Sequence, residues 1–373
     1  MTITGPCNAP DVVDVVALGE SMVTFLPSRP GRLADVPSFE RAIGGAESNV
    51  ACALAAAGHS ARWIGRVGDD GFGDHLIQAI GSYGVDVASV RRDPTRPTGV
   101  YFRTAGDRAT DAHEVAYYRA GSAASVMSAA NMDLAAARAG RVLHLSGITA
   151  ALSADCLDLL WELTEPRAGR PLVSFDVNFR PGLWADSDGP RVLLDLARRA
   201  DIVFVGSDEA EAAWGLRGAG DIAGALPEPG LVVVKQGRGG AVAFDKGPGA
   251  VAGPAGPTGL AGLAGLAGLE DADRVATHAR APRVDVVAAV GAGDAFAAGF
   301  LAATLRGLPV RDRIRHGHLM AAAVLTVPGD LAAPPARDHA DRLTALDERA
   351  WETLRLGPGW TQAEQAPEEV RTP

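Results

Sequence analysis

The chain has 373 residues with 45 acidic against 35 basic side chains, a formal net charge of −10, and is 47% hydrophobic and 21% charged. That length suits one large α/β domain or two ordinary ones, and the composition excludes extensive disorder. The acidic balance gives no bulk electrostatic support for nucleic acid or an anionic membrane, leaving a small molecule or another protein as the expected partner.

Residues 1–10, with Gly5, Pro6 and Pro10, read as a loose tail, and order is expected from Asp11. Val12 to Leu18 is a valine-rich run ending in Gly19-Glu20, the pattern of a buried strand delivering its C-terminal end to a site. Residues 21–43 are proline-broken and read as short strands. Gly44-Gly45-Ala46-Glu47-Ser48-Asn49 then opens an alanine-rich helix over Val50 to Gly58. The glycines let a ligand approach the backbone, and Asn49 has a donor and an acceptor to offer a polyol; a plain glycine turn with a buried asparagine fits the same residues.

Arg62 to Val67 reads as a strand and Asp74 to Tyr83 as an amphipathic helix. Gly99 to Thr104 and Glu114 to Tyr118 are β-rich. Alternation puts Tyr101 with Arg103 on one face and Tyr117 with Arg119 on one face, as a lid over a sugar or carboxylate requires; a half-exposed hairpin is the simpler alternative.

From Arg141 onward, strand signals at Val142–Leu145, Leu172–Phe175, Ile202–Val205 and Leu231–Val234 alternate with helical segments such as Ala154 to Glu165 and Pro190 to Ala200. This is the βαβ pattern of a largely parallel sheet covered on both faces. Asp176-Val177-Asn178-Phe179-Arg180 follows one strand, where Arg180 can take a carboxylate or phosphate, or pair with Asp176. Gly206-Ser207-Asp208-Glu209 follows the next; its carboxylates suit either helix capping or indirect hold on hydrated Mg²⁺. Lys235, one of only two lysines in the chain, begins Lys-Gln-Gly-Arg-Gly-Gly, which suits backbone contact with a nucleotide but matches neither a Walker A loop nor a dinucleotide fingerprint.

Residues 247–269 repeat Gly-Leu-Ala and read as a surface insertion. Val286 to Val290 is an apolar lead-in to Gly291-Ala292-Gly293-Asp294 and the apolar run Ala295 to Leu305. Free N–H groups at that helix start make an anion site, and Asp294 can take a proton from an attacking hydroxyl; an ordinary strand-turn-helix corner capped by Asp294 fits equally. Asp312 to Val327 reads as a helix leading to Asp330, and 336–373 as a tail. Cys7, Cys52 and Cys156 are odd in number and widely spaced, which fits a reducing cytoplasm. No apolar stretch reaches the roughly 20 residues of a membrane span, and the N-terminus lacks an export pattern.

With Gly44 to Asn49 near the front and Gly291 to Asp294 near the back, the sequence resembles the ribokinase-like (PfkB) carbohydrate kinases across residues 12 to 335. Gly19-Glu20, Tyr117 to Ser122, His144 to Thr149 and Asp176 to Arg180 are similar to the branch acting on 2-keto-3-deoxygluconate. The resemblance implies one kinase domain over 11–335, doubly wound, with a β lid from about 21–43 and 98–120 through which such kinases pair as homo-oligomers. It implies ATP and Mg²⁺ as cofactors, Asp294 as catalytic base and Gly291, Ala292 and Gly293 as anion hole. Gly45, Asn49, Tyr101, Tyr117, Arg119, Ile148, Arg180 and Asp330 fall to the sugar, and Lys235, Gly237, Gly240, Gly291 and Gly293 to the nucleotide, with Glu209 linked indirectly to the metal. Ala288 replaces an aspartate common in the family, which bears on monovalent-cation activation, and Gly206 replaces an asparagine. A kinase for another sugar and a catalytically weak sugar-binding protein on the same fold are the competing expectations.

Overall fold

The computed structural model describes residues 11–29, 31–104, 114–184, 188–247, 270–271 and 274–365. The expected insertion at 247–269 and loose N-terminal tail therefore lie almost wholly outside the described residues. The main sheet runs in space Glu270–Asp271, Arg274–Ala279, Ala241–Asp245, Leu231–Lys235, Ile202–Gly206, Leu172–Asp176, Gly140–Ser146, Val13–Leu18, Ala61–Ile64. The six strands from Leu231–Lys235 to Ala61–Ile64 are parallel, and the rest pair antiparallel.

Alternation along these strands explains why they read as continuous apolar runs. Val15, Val142, Phe204 and Val233 point to one face, where they meet Val50, Leu54, Phe296 and Phe300 of the helices Ala46–Ala56 and Ala292–Leu305. Val16, Leu143, Val203 and Val232 point to the other, against Leu159, Leu160, Leu193 and Leu196. Both faces are covered, so the parallel strands have no solvent side. The strand order reverses at Val13–Leu18, which places a crevice at the C-terminal edge of the sheet, where open α/β sheets bind ligands.

A separate four-stranded sheet, in the order Phe39–Gly44, Met22–Pro27, Val100–Arg103, Val115–Tyr118, stands beside that edge. Tyr101 faces Tyr117 across the antiparallel pair, with ring centroids 5.4 Å apart.

Three expectations change. The Arg62–Val67 run breaks at Gly65, because a side chain there would meet the Trp63 ring at 2.5 Å and the Gly19 carbonyl at 2.9 Å; Arg66–Gly68 leaves the main sheet to pair with Arg91–Asp93. Val286 to Val290 is not a strand: the Val287 N–H donates at 2.7 Å to the Leu325 carbonyl, at the end of the helix Val310–Leu325. The segment after 335 is not simply a tail. Ala340 and Trp351 of the helices Arg337–Thr344 and Glu348–Thr353, with Leu356 and Trp360 beyond them, pack against Leu319 and Ala323. Charge and proline content concealed this, since the apolar anchors, Ala340, Trp351, Leu356 and Trp360 with Leu343, Leu346 and Leu354 beside them, are scattered among charges.

Trp351 is fully buried, stacks under Arg315 at 4.7 Å and donates to the Arg280 carbonyl at 2.8 Å. Trp351→Ala is expected to cost about 3–5 kcal/mol in chemical denaturation; a loss below about 1 kcal/mol would show that the C-terminal segment is dispensable for the fold.

Candidate active site

Gly291 opens the helix Ala292–Leu305 in the left-handed region, φ 75°, and a side chain there would meet the Asp330 carbonyl oxygen at 2.5 Å. Only glycine satisfies both conditions. The turn thus presents the first N–H groups of a 14-residue helix, with Asp294 in its first turn.

Asp294 accepts from Asn49 Nδ2 at 2.8 Å. Burial pushes its carboxyl up to about 8; Asp176 and Asp330 push the same way, and the Asn49 hydrogen bond and Lys235 oppose them. Asn49 is only 3% exposed; its Nδ2 holds Asp294, and its Oδ1 has no partner among the described residues. The helix Ala46–Ala56 supplies it, starting at Gly45, where a side chain would strike the Glu20 carbonyl at 2.4 Å.

Asp330 and Tyr101, both expected at the sugar, are bonded to each other. Asp330 is buried and accepts from Tyr101 Oη at 3.0 Å and Arg103 Nη2 at 2.7 Å, so the two side chains hold each other. Burial raises the Asp330 carboxyl, with Arg103 and Tyr101 opposing. Gly44 makes room for this contact, since a side chain there would lie 2.1 Å from Tyr101 Oη. Arg103 was visible in the sequence only as a residue on the same face as Tyr101.

Arg119 pairs with Glu20, whose other oxygen accepts from Ser122 Oγ at 2.7 Å; its guanidinium carbon lies 5.8 Å from the Tyr117 ring centroid. Tyr117 is 54% exposed and is the accessible aromatic of this group. Ile148 is half-buried in the short helix Gly147–Ala150, which Glu47 braces: Glu47 Oε1 accepts from Ser146 Oγ and Thr149 Oγ1, both at 2.7 Å. Glu47 is fully buried, and desolvation raises its carboxyl. Its place two residues before Asn49 gave no sign of that role.

On the opposite wall, Arg180 Nη1 donates to Glu209 Oε1 at 3.0 Å and to the Phe179 carbonyl. The pairing with Asp176 left open by the sequence does not form; Asp176 instead takes Lys235 Nζ on both oxygens, at 2.7 and 3.0 Å. Glu209 Oε2 accepts from the Gly206 N–H at 2.9 Å. Both Glu209 oxygens are thus engaged, one as helix cap and one as ion-pair partner. Among the described residues there is no cluster of three or more His, Cys, Asp or Glu placed to hold a metal. Gly237 and Gly240 both have positive φ, 54° and 107°, and Gly240 lies so close to Ala279 that a side chain would meet its carbonyl at 2.2 Å. At Ala288 no carboxylate is present, and its N–H points to the Leu325 carbonyl at 3.4 Å.

The description "pfkB family carbohydrate kinase" matches residues 13–337. The 2-dehydro-3-deoxygluconokinase of Bacillus subtilis (strain 168) is 34% identical over 331 residues, 87% of this chain and 94% of its own. The enzyme of the same name from Thermoproteus tenax is 31% identical over 336 residues, 89% and 94%. Among solved structures, a PfkB protein from Polaromonas sp. JS666 superposes with a TM-score of 0.71 at 32% identity, covering 90% of this chain and all of that one. A sugar kinase, PH1459 of Pyrococcus horikoshii, solved with ATP, shares the fold at TM-score 0.71 and 21% identity, covering 91% and 100%.

Gly291→Ala is expected to destabilise the protein by about 1–3 kcal/mol through the strained turn and to displace Asp330. A crystal structure of the variant with Asp330 still on Tyr101 and Arg103 would count against that coupling.

Proposed function

Because this chain belongs to the pfkB family of carbohydrate kinases, we propose that it transfers the γ-phosphoryl group of MgATP to the 6-hydroxyl of 2-keto-3-deoxygluconate, the compound also called 2-dehydro-3-deoxygluconate. The observation that carries this reading is Asp294 in the first turn of the helix Ala292–Leu305, held by Asn49 at a helix N-terminus that favours an anion. Arg119 and Arg180 are held by Glu20 and Glu209, and the carboxylate of a sugar acid is the substrate group that would compete for them.

In this reading Asp294 removes the hydroxyl proton and the Gly291 to Gly293 amides absorb charge developing on the phosphoryl oxygens. Gly45, Tyr117, Arg119, Ile148 and Arg180 border the sugar, with Asn49, Tyr101 and Asp330 behind them. Lys235, Gly237 and Gly240 border the nucleotide, supported by the ATP named for the Pyrococcus structure. Magnesium arrives on the phosphates with its waters, and no step uses a protein-held ion. No step uses a monovalent cation either. The exposed Val115, Tyr117 and Tyr118 on the edge strand of the lid support association of two copies there. Buried, unpaired Cys52 and Cys156 support a cytoplasmic setting, and among the described residues no helix is long and apolar enough to cross a membrane.

ADP release measured with a panel of sugar acids and neutral sugars, including the galactono epimer named for a 30% identical relative from Haloferax volcanii, tests the substrate. Turnover of neutral sugars alone would refute the acid assignment. Asp294→Asn should lower kcat by about 10²–10⁴ while leaving ATP binding largely intact; near-parental turnover removes Asp294 as base. A carboxyl raised to about 8 is mostly protonated at neutral pH, so kcat/KM should climb as pH rises through that value. A flat profile between pH 6 and 9 contradicts this. Arg180→Ala should reduce kcat/KM for the acid about 10–100-fold, the worth of a charge-assisted hydrogen bond, and far less for a neutral sugar. Equal losses would take the carboxylate away from Arg180.

A further inference from the structure

Three neighbouring strands end side by side beneath the Gly291–Asp294 turn. Asp176, Gly206 and Lys235 are the last residues of Leu172–Asp176, Ile202–Gly206 and Leu231–Lys235. The preceding residues Phe175, Val205 and Val234 all lie in the core on the far face, so alternation turns Asp176, Gly206 and Lys235 toward the helix Ala292–Leu305. Gly206 stands opposite Lys235 in the parallel register. The lysine reaches past this middle strand to Asp176.

The pair is enclosed, with side-chain exposures of 18% for Lys235 and 4% for Asp176. Two hydrogen bonds to Asp176 leave an ammonium with one further donor. The same Nζ lies 3.6 Å from where a side chain on Gly293 would begin, directly against the turn assigned to the phosphoryl group. Burial alone would lower the lysine's proton affinity, but Asp176 and Glu209 outweigh it, so the group stays charged. Two carboxylates, Asp176 and Asp294, compete for this one cation, and the structure gives it to Asp176 while Asn49 holds Asp294.

Building on the kinase reading, we propose that Lys235 is the ammonium that meets the transferring phosphoryl group, and that Asp176 is a positioning residue that keeps Lys235 from pairing with Asp294 before nucleotide arrives. In the transfer, the sugar hydroxyl oxygen bonds to the γ-phosphorus as the bond from that phosphorus to the β–γ bridging oxygen breaks. The electron pair leaves on ADP and the hydroxyl proton goes to Asp294. Lys235 keeps its protons throughout, and its work is electrostatic. An ammonium bonded to Asp294 would occupy the lone pair that must accept that proton; one bonded to Asp176 leaves it open.

The test compares Lys235→Met, Lys235→Arg, Asp176→Asn and the double variant Asp176→Asn/Lys235→Met with the parent. Steady-state kinetics and calorimetric titrations with ATP and ADP are the readouts. Lys235→Met should lower kcat about 100-fold or more, as loss of a preorganised charge does, with KM for the sugar little changed; Lys235→Arg should recover part of it. Its affinity for ATP should fall more than for ADP, by about tenfold, the worth of one charge-assisted contact to the γ-phosphate. Asp176→Asn should lower kcat and move the rise of kcat/KM with pH. The double variant, free of an uncompensated charge, should be no slower than Lys235→Met, because Asp176 acts only through Lys235. Additive losses in the double variant, or unchanged kcat with equal ATP and ADP affinities in Lys235→Met, would overturn the proposal. A parent that turns over no sugar would refute the kinase reading instead, and the ATP-against-ADP comparison would still decide Lys235.

Discussion

Asp330 ties together three parts of the molecule that are far apart in sequence. Its carboxylate is held by Tyr101 and Arg103 of the lid, and its backbone presses against Gly291 so closely that no side chain fits between. A buried ion pair adds little net stability, but removing one partner strands the other at a cost of about 3–5 kcal/mol. The lid therefore cannot leave Asp330 cheaply, and Asp330 cannot shift without disturbing the anion turn. Lid position and turn geometry are coupled through one residue.

Around that anchor the crevice is a problem of charge compensation. Asp294, Asp176 and Glu209 are matched against Lys235 and Arg180 within the reach of a few hydrogen bonds. Each partner choice keeps one group free for another purpose: Glu209 takes Arg180 through one nitrogen, Asp176 takes Lys235, and Asp294 is left with the neutral Asn49. The neighbouring His144, bonded to Ser174 at 3.0 Å and fully enclosed, is pushed down to about 3 by burial and by Lys235, so it adds no charge.

Much of the fold was readable because its signals are local. Continuous valine-rich runs between amphipathic helical segments mean parallel strands buried on both faces, and four of the expected strands differ from the observed ones by at most two residues at either end. The turn at Gly291 was readable for the same reason: glycines followed by an acid and an apolar run mark a helix start without reference to the rest of the chain. The path of the lead-in at Val286 to Val290 was not readable, because apolar content alone does not say where the backbone N–H groups go; those of Val287 and Ala288 go to the end of a helix. The C-terminal packing was invisible because Trp351 and Trp360 are isolated among charges, and only their distant partners on the helix Val310–Leu325 reveal them.

By itself, the sequence determined which residue types reach the C-terminal edge of the sheet: the strand-end Asp176, Gly206 and Lys235, the two glycine turns, and Asp294 at a helix start. Those follow from periodicity and turn chemistry over a few residues. Who pairs with whom was decided only by the tertiary structure. Asn49 serves Asp294 across 245 residues of chain, and Lys235 finds Asp176 rather than a nearer carboxylate. Such choices depend on burial and on the empty space that Gly44 and Gly291 leave, and neither quantity exists until the strands and helices have packed.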